Sequence, residues 1–393
     1  MTILSPGLER GAAITGAGMS PIGRRTGVAG IELTTTAGRA AIADAGLRPS
    51  DIDGITSMGD TPIDAAARSL GIDAAWRGGG FDTGGLLSPV MSAFIAVATG
   101  QARHVLVYRT VQMMGGTILP PARAASASAP PGPTEPGTPT ATGWMGPLLT
   151  MHAYSAANWI AMHCRRHMHL YGTTKEQLGW LAVTSRRNAS LNPAAAYQDP
   201  MTLEDYLAAR PISDPLSLYD CDVPVDGSLA VVVSAADRAG DGPNPPVRVE
   251  AIGGASGEGA WDQRPDYPKM ASTDAAAQMW SRTDLRPADV DVAELYDGFT
   301  FLTFAWLEAL GLCGEGESGP FVEGGRRIAL DGDLPLNTYG GQLSAGRMHG
   351  YWVLYEAILQ LRGQAGARQV SRAEVAAVAA GGGPIAGCML LTR

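Results

Sequence analysis

The chain of 393 residues contains little cysteine, no long apolar run and no excess of basic residues. Its four cysteines follow no CxxC spacing, which predicts reduced thiols in the cytoplasm. No apolar run approaches the roughly 20 residues that a membrane-spanning helix needs, so we expect a soluble protein. The first residues lack a basic region followed by an apolar core, so no secretory signal is expected. The net charge of −9 argues against a nucleic-acid-binding surface.

A short repeat indicates how the chain is organised. The segment Leu47–Asp53 (LRPSDID) recurs as Leu285–Asp291 (LRPADVD). A strand-like run and an alanine-rich helical segment precede each copy, and another apolar stretch follows it. Because strand, helix, turn and strand make a βαβ unit, the repeat predicts two related α/β halves. We place these halves at residues 1–240 and 245–393, with a helical and loop insertion at about 110–220.

Hydrophobic patterns predict the main elements of both halves. The predicted strands are 12–18, 104–108, 228–234, 247–254, 375–380 and 385–392, and the predicted helical regions are 34–45, 88–99 and 151–188. Several of these strands are continuously apolar, which is typical of a sheet that is covered on both faces. The proline-rich stretch 120–143 predicts a loop, which either covers the site as a lid or has no functional role.

Several interior segments carry a resemblance to a known family. They are Met168–Gly179, Arg187–Pro193, Cys221–Gly227, Glu294–Phe299, Asn337–Ser344 and the glycine turn Gly381–Gly383. Together with the duplicated halves, these segments resemble the thiolase superfamily and, within it, the sterol-carrier and lipid-transfer-protein branch. The resemblance covers nearly the whole chain. It implies an α/β thiolase fold, in which duplicated βαβαβ halves form a five-layered α-β-α-β-α sandwich.

The sulfur chemistry of thiolases is missing from the sequence. In thiolases a nucleophilic cysteine begins a helix of the first half, and this position falls near Thr83, where no cysteine occurs. A second thiolase cysteine belongs to the C-terminal turn, which is Gly381–Gly383 here. Cys313 and Cys388 lie at a predicted helix end and in an apolar strand, positions that are typical of packed thiols. The sequence therefore argues against acyl transfer through an enzyme thioester.

Tyr296 occupies the position of the first thiolase histidine, in the motif Glu294–Phe299. A phenol has an unperturbed pKa near 10, so it can accept a proton only where nearby cations or donors favour the phenolate. This exchange resembles the steroid side-chain aldolases of the branch, which cleave a β-hydroxyacyl-CoA into a ketone and a shorter acyl-CoA. Such a retro-aldol reaction needs a base and donors around an enolate oxygen, but no covalent intermediate. Beyond coenzyme A as part of the substrate, no cofactor is expected.

The second thiolase histidine aligns with Arg347, where the aldolases carry a tyrosine. A guanidinium stays protonated and cannot be a base. Arg347 is therefore expected to lower the pKa of Tyr296, to stabilise an enolate oxygen or, alternatively, to pair with Asp297 or Glu356. His349 is expected on the following helix, where it would titrate near neutrality and supply a proton.

The candidate site residues follow from these positions. The candidate catalytic residues are Tyr296, Arg347, His349 and Asp297, and the candidate substrate and oxyanion residues are Thr83, Gly84, Gly340, Gly341 and Gly382. A His163 and His167 pair, four residues apart, has the spacing for a metal, but no third ligand accompanies it, and we interpret the region as helical scaffold. Four arginine pairs can meet the phosphates of coenzyme A, and the sequence does not choose among them: Arg24 and Arg25, Arg165 and Arg166, Arg186 and Arg187, and Arg326 and Arg327.

Three hypotheses of function remain from the sequence. The first is a carbon–carbon lyase that acts on a bulky acyl-CoA derived from a steroid. The second is a condensing or acyl-transfer subunit without a nucleophilic cysteine, from a natural-product pathway. The third is a non-catalytic scaffold that binds acyl-CoA. The resemblance further implies a homodimer and an accessory protein with an OB-fold and a zinc ribbon.

Overall fold

The computed structural model describes residues 7–59, 61–79, 85–114, 145–257 and 261–393. Its strands are β1 (Ala12–Met19), β2 (Gly54–Ser57), β3 (Trp76–Gly79), β4 (His104–Gln112), β5 (Pro211–Ser213), β6 (Leu216–Ser217), β7 (Asp226–Ala235), β8 (Val247–Ser256), β9 (Val292–Leu295), β10 (Val375–Gly382) and β11 (Ile385–Thr392). Its α-helices are α1 (Gly30–Asp44), α2 (Ile63–Leu70), α3 (Ser88–Ala98), α4 (Met145–Thr150), α5 (Ala156–Tyr171), α6 (Lys175–Ala189), α7 (Leu203–Leu207), α8 (Ala271–Trp280), α9 (Thr300–Ala309), α10 (Ser318–Val322), α11 (Gly341–Ser344) and α12 (Tyr351–Arg362).

One nine-stranded sheet runs through both halves in the order β3-β2-β4-β7-β1-β8-β11-β10-β9. The halves meet where β1 pairs with β8, at Ala13 with Arg248 and at Ile14 with Val247. The strand order is the same on both sides of this junction. The last strand of each half, β7 or β11, lies next to the first strand of that half and is antiparallel to both of its neighbours. The counterpart of β3 in the second half is a single parallel bridge between Ala293 and Leu336. The duplication predicted from the repeat is confirmed, whereas the boundaries at 240 and 245 stay a prediction.

The repeated LRPxDxD motif has the same structural role in each half. In the first copy, Asp53 accepts hydrogen bonds from the backbone amides of Arg103 and His104, at 2.9 and 2.8 Å, where β4 begins. In the second copy, Asp291 accepts hydrogen bonds from the amides of Glu374 and Val375, both at 2.9 Å, where β10 begins. Each motif thus satisfies amides that would otherwise lack partners at the start of a buried strand.

Helices cover both faces of the sheet. In β4, Leu106 and Tyr108 pack into a cluster with α1 and α2, whereas Val105 and Val107 pack into the larger cluster that contains α3. The last helix, α12, contacts β9 and β10 of its own half and also β1 and β7 of the other half. It therefore lies between the two halves of the sheet, as the middle layer of the expected sandwich.

The predicted helical region 151–188 is two helices, α5 and α6, which are separated at Gly172. Gly172 has φ 75°, a conformation that ends a helix at low cost only for glycine. The Thr174 side chain then accepts a hydrogen bond from the Gln177 amide at 3.3 Å and begins α6. The predicted loop 120–143 lies outside the described residues. Within the described ranges, no helix is both long and apolar enough to cross a bilayer.

Candidate active site

Three loops meet next to the sheet, and backbone hydrogen bonds hold them together. Asp222, before β7, donates from its amide to the Gly298 carbonyl at 3.2 Å, just after β9. Val223 donates to the Gln342 carbonyl at 2.9 Å, and Arg347 donates to the Val223 carbonyl at 2.8 Å. The three loops therefore form one unit, although they are far apart in the sequence.

Tyr296 follows the last residue of β9, and its side chain is 9% exposed. Its amide donates to the Ala379 carbonyl of β10 at 2.9 Å, which fixes the backbone in the sheet. The ring lies over Gly298, where a Cβ atom would come within 2.6 Å of the ring and 2.9 Å of the hydroxyl oxygen. A glycine two residues after the tyrosine is therefore required for this ring position.

The environment of Tyr296 favours the neutral phenol. Burial raises the pKa of Tyr296 most, and the carboxyl groups of Asp222 and Asp297 raise it further. The guanidinium groups of Arg347 and Arg109 act in the opposite direction but are outweighed. Arg347 thus acts on this pKa in the expected direction, but burial outweighs it, so the condition stated for a phenolate is not met.

Asp222 was not among the candidates, yet its carboxyl group lies in the same cluster as Tyr296, Asp297 and Arg347. Its Oδ1 is 3.3 Å from Nη1 of Arg347, and the Asp222 side chain is 10% exposed. Burial raises the pKa of Asp222 to about 7, Asp297 adds to this rise, and Arg347 opposes it. A carboxyl group that titrates near neutral pH suits general acid–base work.

Arg347 lies on the loop between α11 and α12 and is about one third exposed. Besides Asp222, it reaches the Met113 sulfur, which lies 3.2 Å from both Nε and Nη2. The expected alternative partners, Asp297 and Glu356, are wrong. Glu356, a buried residue of α12, instead forms a bidentate pair with the buried Arg368, at 2.9 Å for both bonds.

Asp297 holds the loop that carries Arg347. Its buried carboxylate accepts hydrogen bonds from the amides of Gln342, at 2.8 Å, and Leu343, at 3.4 Å, at the start of α11. Burial raises the pKa of Asp297 to about 6, against the effect of these amides. Gly341 has φ +64°, and a Cβ atom there would lie 1.9 Å from the Asp297 carboxylate. The structure therefore places Asp297 in contact with this loop, and its catalytic role stays a prediction.

Gly340 has a comparable steric reason to be glycine. It has φ +106°, and a Cβ atom there would lie 2.4 Å from the Cβ of Ala189, at the end of α6. The two candidate glycines thus let the loop pass closely between α6 and Asp297.

His349 precedes α12 instead of lying on it, and it has φ 48°. Its Nδ1 is 2.5 Å from Nη2 of Arg109, a buried arginine of β4. Burial, together with the charges of Arg109 and Arg347, lowers the pKa of His349 well below its ordinary value. The expected titration near neutrality is therefore wrong, because the imidazole is buried and lies next to two cations.

A cavity of about 420 Å³ opens beside the cluster. Its lining combines charged, aromatic and apolar residues and includes Asp222: Arg24, Arg186, Tyr197, Leu218, Tyr219, Cys221, Asp222, Val223, Pro224 and Leu343. The guanidinium groups of Arg24 and Arg186 lie 5.7 and 5.2 Å from the centre of the Tyr197 ring. Burial lowers the pKa of Arg186, which donates to Ser344 Oγ at 2.8 Å.

Comparison with known proteins identifies the family. Residues 253–391 match the model of the thiolase C-terminal domain-like family. The chain is 36% identical to a steroid side-chain-cleaving aldolase of Thermomonospora curvata, over 98% of each chain. It is also 36% identical to the 17-hydroxy-3-oxo-4-pregnene-20-carboxyl-CoA lyase of Mycobacterium tuberculosis, over 96% of this chain and 98% of that protein. A solved Ltp2–ChsH2(DUF35) aldolase superposes with a TM-score of 0.86 at 34% identity, over 98% of both chains. The chain belongs to the thiolase superfamily, among the steroid side-chain-cleaving aldolases.

The thiols of this family member are not activated. Cys164 and Cys388 are fully buried, and burial raises the pKa of both. Burial also raises the pKa of Cys313 and of Cys221 to about 12. Cys221 lies in the cavity wall, but the neighbouring carboxylates oppose its ionisation as well. None of the four thiols is therefore a ready nucleophile.

The predicted scaffold role of the histidine pair fits the contacts of both rings. His163 Nδ1 is 3.0 Å from the Trp159 carbonyl, and the ring packs on Tyr267. His167 lies between Thr173 and Glu308, each at 2.9 Å. Within the part of the chain that the structure describes, no group of three histidine, cysteine or acidic side chains is placed to hold a metal.

The structure does not test the roles of three substrate candidates. Thr83 and Gly84 lie outside the described residues. Gly382, the last residue of β10, has φ 146°, and a Cβ atom there would lie 2.7 Å from Leu302 of α9. The turn therefore packs on the helix that follows Tyr296, and the roles of these three residues stay predictions.

Two site residues were missed in the sequence, and each has a visible signal. Asp222 lies in the segment Cys221–Gly227, where an acidic side chain precedes a buried apolar strand. Arg109 is a charged residue within the apolar strand His104–Gln112. A charge in a buried strand requires a polar partner, which makes such a position a functional candidate.

Proposed function

We propose that this protein cleaves a carbon–carbon bond of a bulky β-hydroxyacyl-CoA by a retro-aldol reaction, with a steroid side chain as the acyl group. One observation carries the proposal. The chain matches a steroid side-chain-cleaving aldolase over 98% of each chain, and its site contains a phenol, a carboxyl group and a guanidinium in place of an activated thiol and two imidazoles. These groups handle protons and stabilise anions, which retro-aldol cleavage requires.

The reaction conserves atoms without a redox step. A base takes the proton of the β-hydroxyl group, the Cα–Cβ bond breaks, and the β-carbon becomes a ketone. The electron pair of the broken bond moves into the thioester and forms an enolate. An acid then returns one proton to Cα, which gives the shorter acyl-CoA. Tyr296 contacts the reacting atoms, and the cation of Arg347 stabilises the negative charge that develops.

The cavity beside Asp222 holds part of the coenzyme A moiety. Its volume of about 420 Å³ falls in the range of small-molecule sites, which is about 300–1,000 Å³. Arg24 and Arg186 offer guanidinium groups for phosphate. Three arginines of the other sequence pairs already form ion pairs with carboxylates: Arg165 with Asp214, Arg326 with Asp331 and Arg327 with Asp333.

The active form is a homodimer that works with an accessory protein carrying an OB-fold and a zinc ribbon. The solved Ltp2–ChsH2(DUF35) aldolase supports a second component, since its name includes one. Co-purification with a coexpressed accessory chain, followed by light scattering, tests both parts of this assembly. A monomer that cleaves substrate alone at full rate would contradict it.

The function is tested with a β-hydroxyacyl-CoA that carries a tertiary alcohol on a ring. The purified protein, with and without an accessory subunit, is incubated with this thioester, and products are identified by mass spectrometry. We expect a ketone together with propionyl-CoA or acetyl-CoA. Tyr296→Phe should lower the rate by at least about 100-fold, the usual contribution of a proton-transferring group.

The matched control is Tyr171→Phe, which removes a hydroxyl that donates to Glu315 on the surface. This variant should cleave at the wild-type rate. Absence of cleavage by the wild type in either form would contradict the proposed function. Equal rates for Tyr296→Phe and the wild type would remove Tyr296 from its role.

A further inference from the structure

The proposed reaction needs a base at the position where Arg347 stands. A guanidinium is protonated at any working pH, so Arg347 cannot accept the hydroxyl proton. Tyr296 is held as a neutral phenol by burial and by two carboxyl groups. His349 accepts from Arg109 on Nδ1 and lies next to two positive charges, which disfavour its protonation.

A carboxylate is present at the required place. Asp222 lies 3.3 Å from the guanidinium of Arg347, and it is also part of the cavity wall. Asp222 thus contributes a carboxyl group both to the three joined loops and to the lining of this cavity. Its backbone is fixed on both sides, by the hydrogen bonds to Gly298 and from Val223 to Gln342.

We infer that Asp222 is the catalytic base, which removes the β-hydroxyl proton of the substrate, and that Tyr296 is the acid that protonates the enolate carbon. This assignment rests on the proposed function. Arg347 is then the positioning residue of the base, because its pairing with Asp222 holds the carboxylate and favours the ionised form. Arg347 therefore holds the proton acceptor in place, although its guanidinium cannot accept a proton.

The electrostatics of the cluster separate the two roles. The groups that face Asp222 are Arg347 from the loop before α12, Tyr296 and Asp297 from the end of β9, Cys221 from its own loop, and Arg24 and Arg186 from the cavity wall. The pKa of Asp222 is about 7, so half of its carboxyl groups are ionised near neutral pH. The pKa of Tyr296 is raised, so the phenol keeps its proton until an enolate forms. Two titratable groups with pKa values pushed apart are the usual arrangement of an acid and a base in one site.

The steps close without a further reactant. The Asp222 carboxylate takes the hydroxyl proton as the Cα–Cβ bond breaks, and Tyr296 gives its phenolic proton to Cα of the enolate. The proton on Asp222 then passes to the tyrosinate, which restores both groups. No water, oxidant or reductant is consumed.

The test uses the pH dependence of cleavage by the holoenzyme with the tertiary-alcohol thioester. For the wild type, kcat/KM should rise with pH through about 7 and then level, since the base must be ionised. Asp222→Asn should lower kcat by at least about 100-fold, with little change in KM, and its residual rate should lack the limb near pH 7. Asp222→Glu should restore part of the rate. Asp333→Asn, a change at an exposed ion pair, is the matched control and should behave like the wild type.

A second variant tests the assignment independently of the first. Arg347 lowers the pKa of Asp222, so Arg347→Met should move the limb of the profile to higher pH. If the wild type cleaves and Asp222→Asn is within twofold of it, or if Arg347→Met leaves the limb unmoved, the inference is overturned while the proposed function stands. If the wild type does not cleave at any pH, the proposed function itself has failed.

Discussion

Replacing Asp222 by asparagine should stabilise the folded protein at alkaline pH, although the residue lies in the candidate active site. Burial raises the pKa of the folded-state carboxyl group from 3.8 to about 7. A raised pKa means that the folded state holds this proton more tightly than the unfolded state. The stability that the protonated group contributes is therefore present at low pH and is lost as the pH rises through about 7.

The size of the effect follows from the shift. One pKa unit corresponds to about 1.4 kcal/mol, so ionisation of Asp222 costs the folded state about 4 kcal/mol at pH 8. At pH 5 only the pH interval between the unfolded-state pKa of 3.8 and the working pH contributes, and the folded state loses about 2 kcal/mol. Asparagine does not ionise and has nearly the same volume. The advantage of Asp222→Asn should therefore grow by about 2–3 kcal/mol between pH 5 and pH 8.

Guanidinium unfolding of both proteins at pH 5 and pH 8 measures this difference. Asp333→Asn serves as the control, since its side chain is 73% exposed and its removal should change stability equally at both pH values. An Asp222→Asn variant whose stability relative to the wild type is the same at both pH values would refute the reasoning. In that case the carboxyl group would be ionised in the folded state at pH 5 already.

Three further substitutions test the supports of the site by their free energies of unfolding. Gly341→Ala should lose at least about 2 kcal/mol and most activity, because it places an alanine in a left-handed conformation and in a clash with Asp297. Gly363→Ala, with open space around it, is the control and should lose only about 1 kcal/mol. Equal losses would contradict the steric argument. Arg368→Ala should cost about 3–5 kcal/mol, since it leaves the Glu356 carboxylate buried and unpaired, and a loss below about 1 kcal/mol would show that the pair is not desolvated. Asp291→Ala should cost about 1–3 kcal/mol by removing the acceptor of the Glu374 and Val375 amides, where β10 begins, and unchanged stability would show that water replaces it.

The sequence was sufficient for the fold because the repeat and the strands carry local signals. The LRPxDxD copies mark the same turn in each half. Their second aspartates, Asp53 and Asp291, accept hydrogen bonds where β4 and β10 begin. The apolar runs that become β10 and β11 are likewise visible as strand, glycine turn and strand. Strands β3, β5 and β6 and helices α2, α9 and α10 were not predicted from the sequence. The split of the helical region at Gly172 also needed the structure, although its glycine is the physical cause.

The site was predictable in part. Tyr296 and Arg347 come together as expected, because their motifs lie on loops that the fold brings side by side. Their electrostatics were not predictable, since the pKa of Tyr296 depends on burial and on Asp222, from a third loop. His349 was assigned a neutral-pH titration because Arg109, in a distant strand, could not be placed beside it. Partners across such sequence distances are set by packing, which a local pattern does not encode.

The mechanism proposed for this thiolase-fold protein has no covalent enzyme intermediate. Intact-protein mass spectrometry during turnover of the tertiary-alcohol thioester, with simultaneous product analysis, tests this mechanism directly. We expect a ketone and a short acyl-CoA in equal amounts, while the mass of the protein stays unchanged throughout. An acylated protein, or release of free coenzyme A in place of acyl-CoA, would contradict it and would favour acyl transfer.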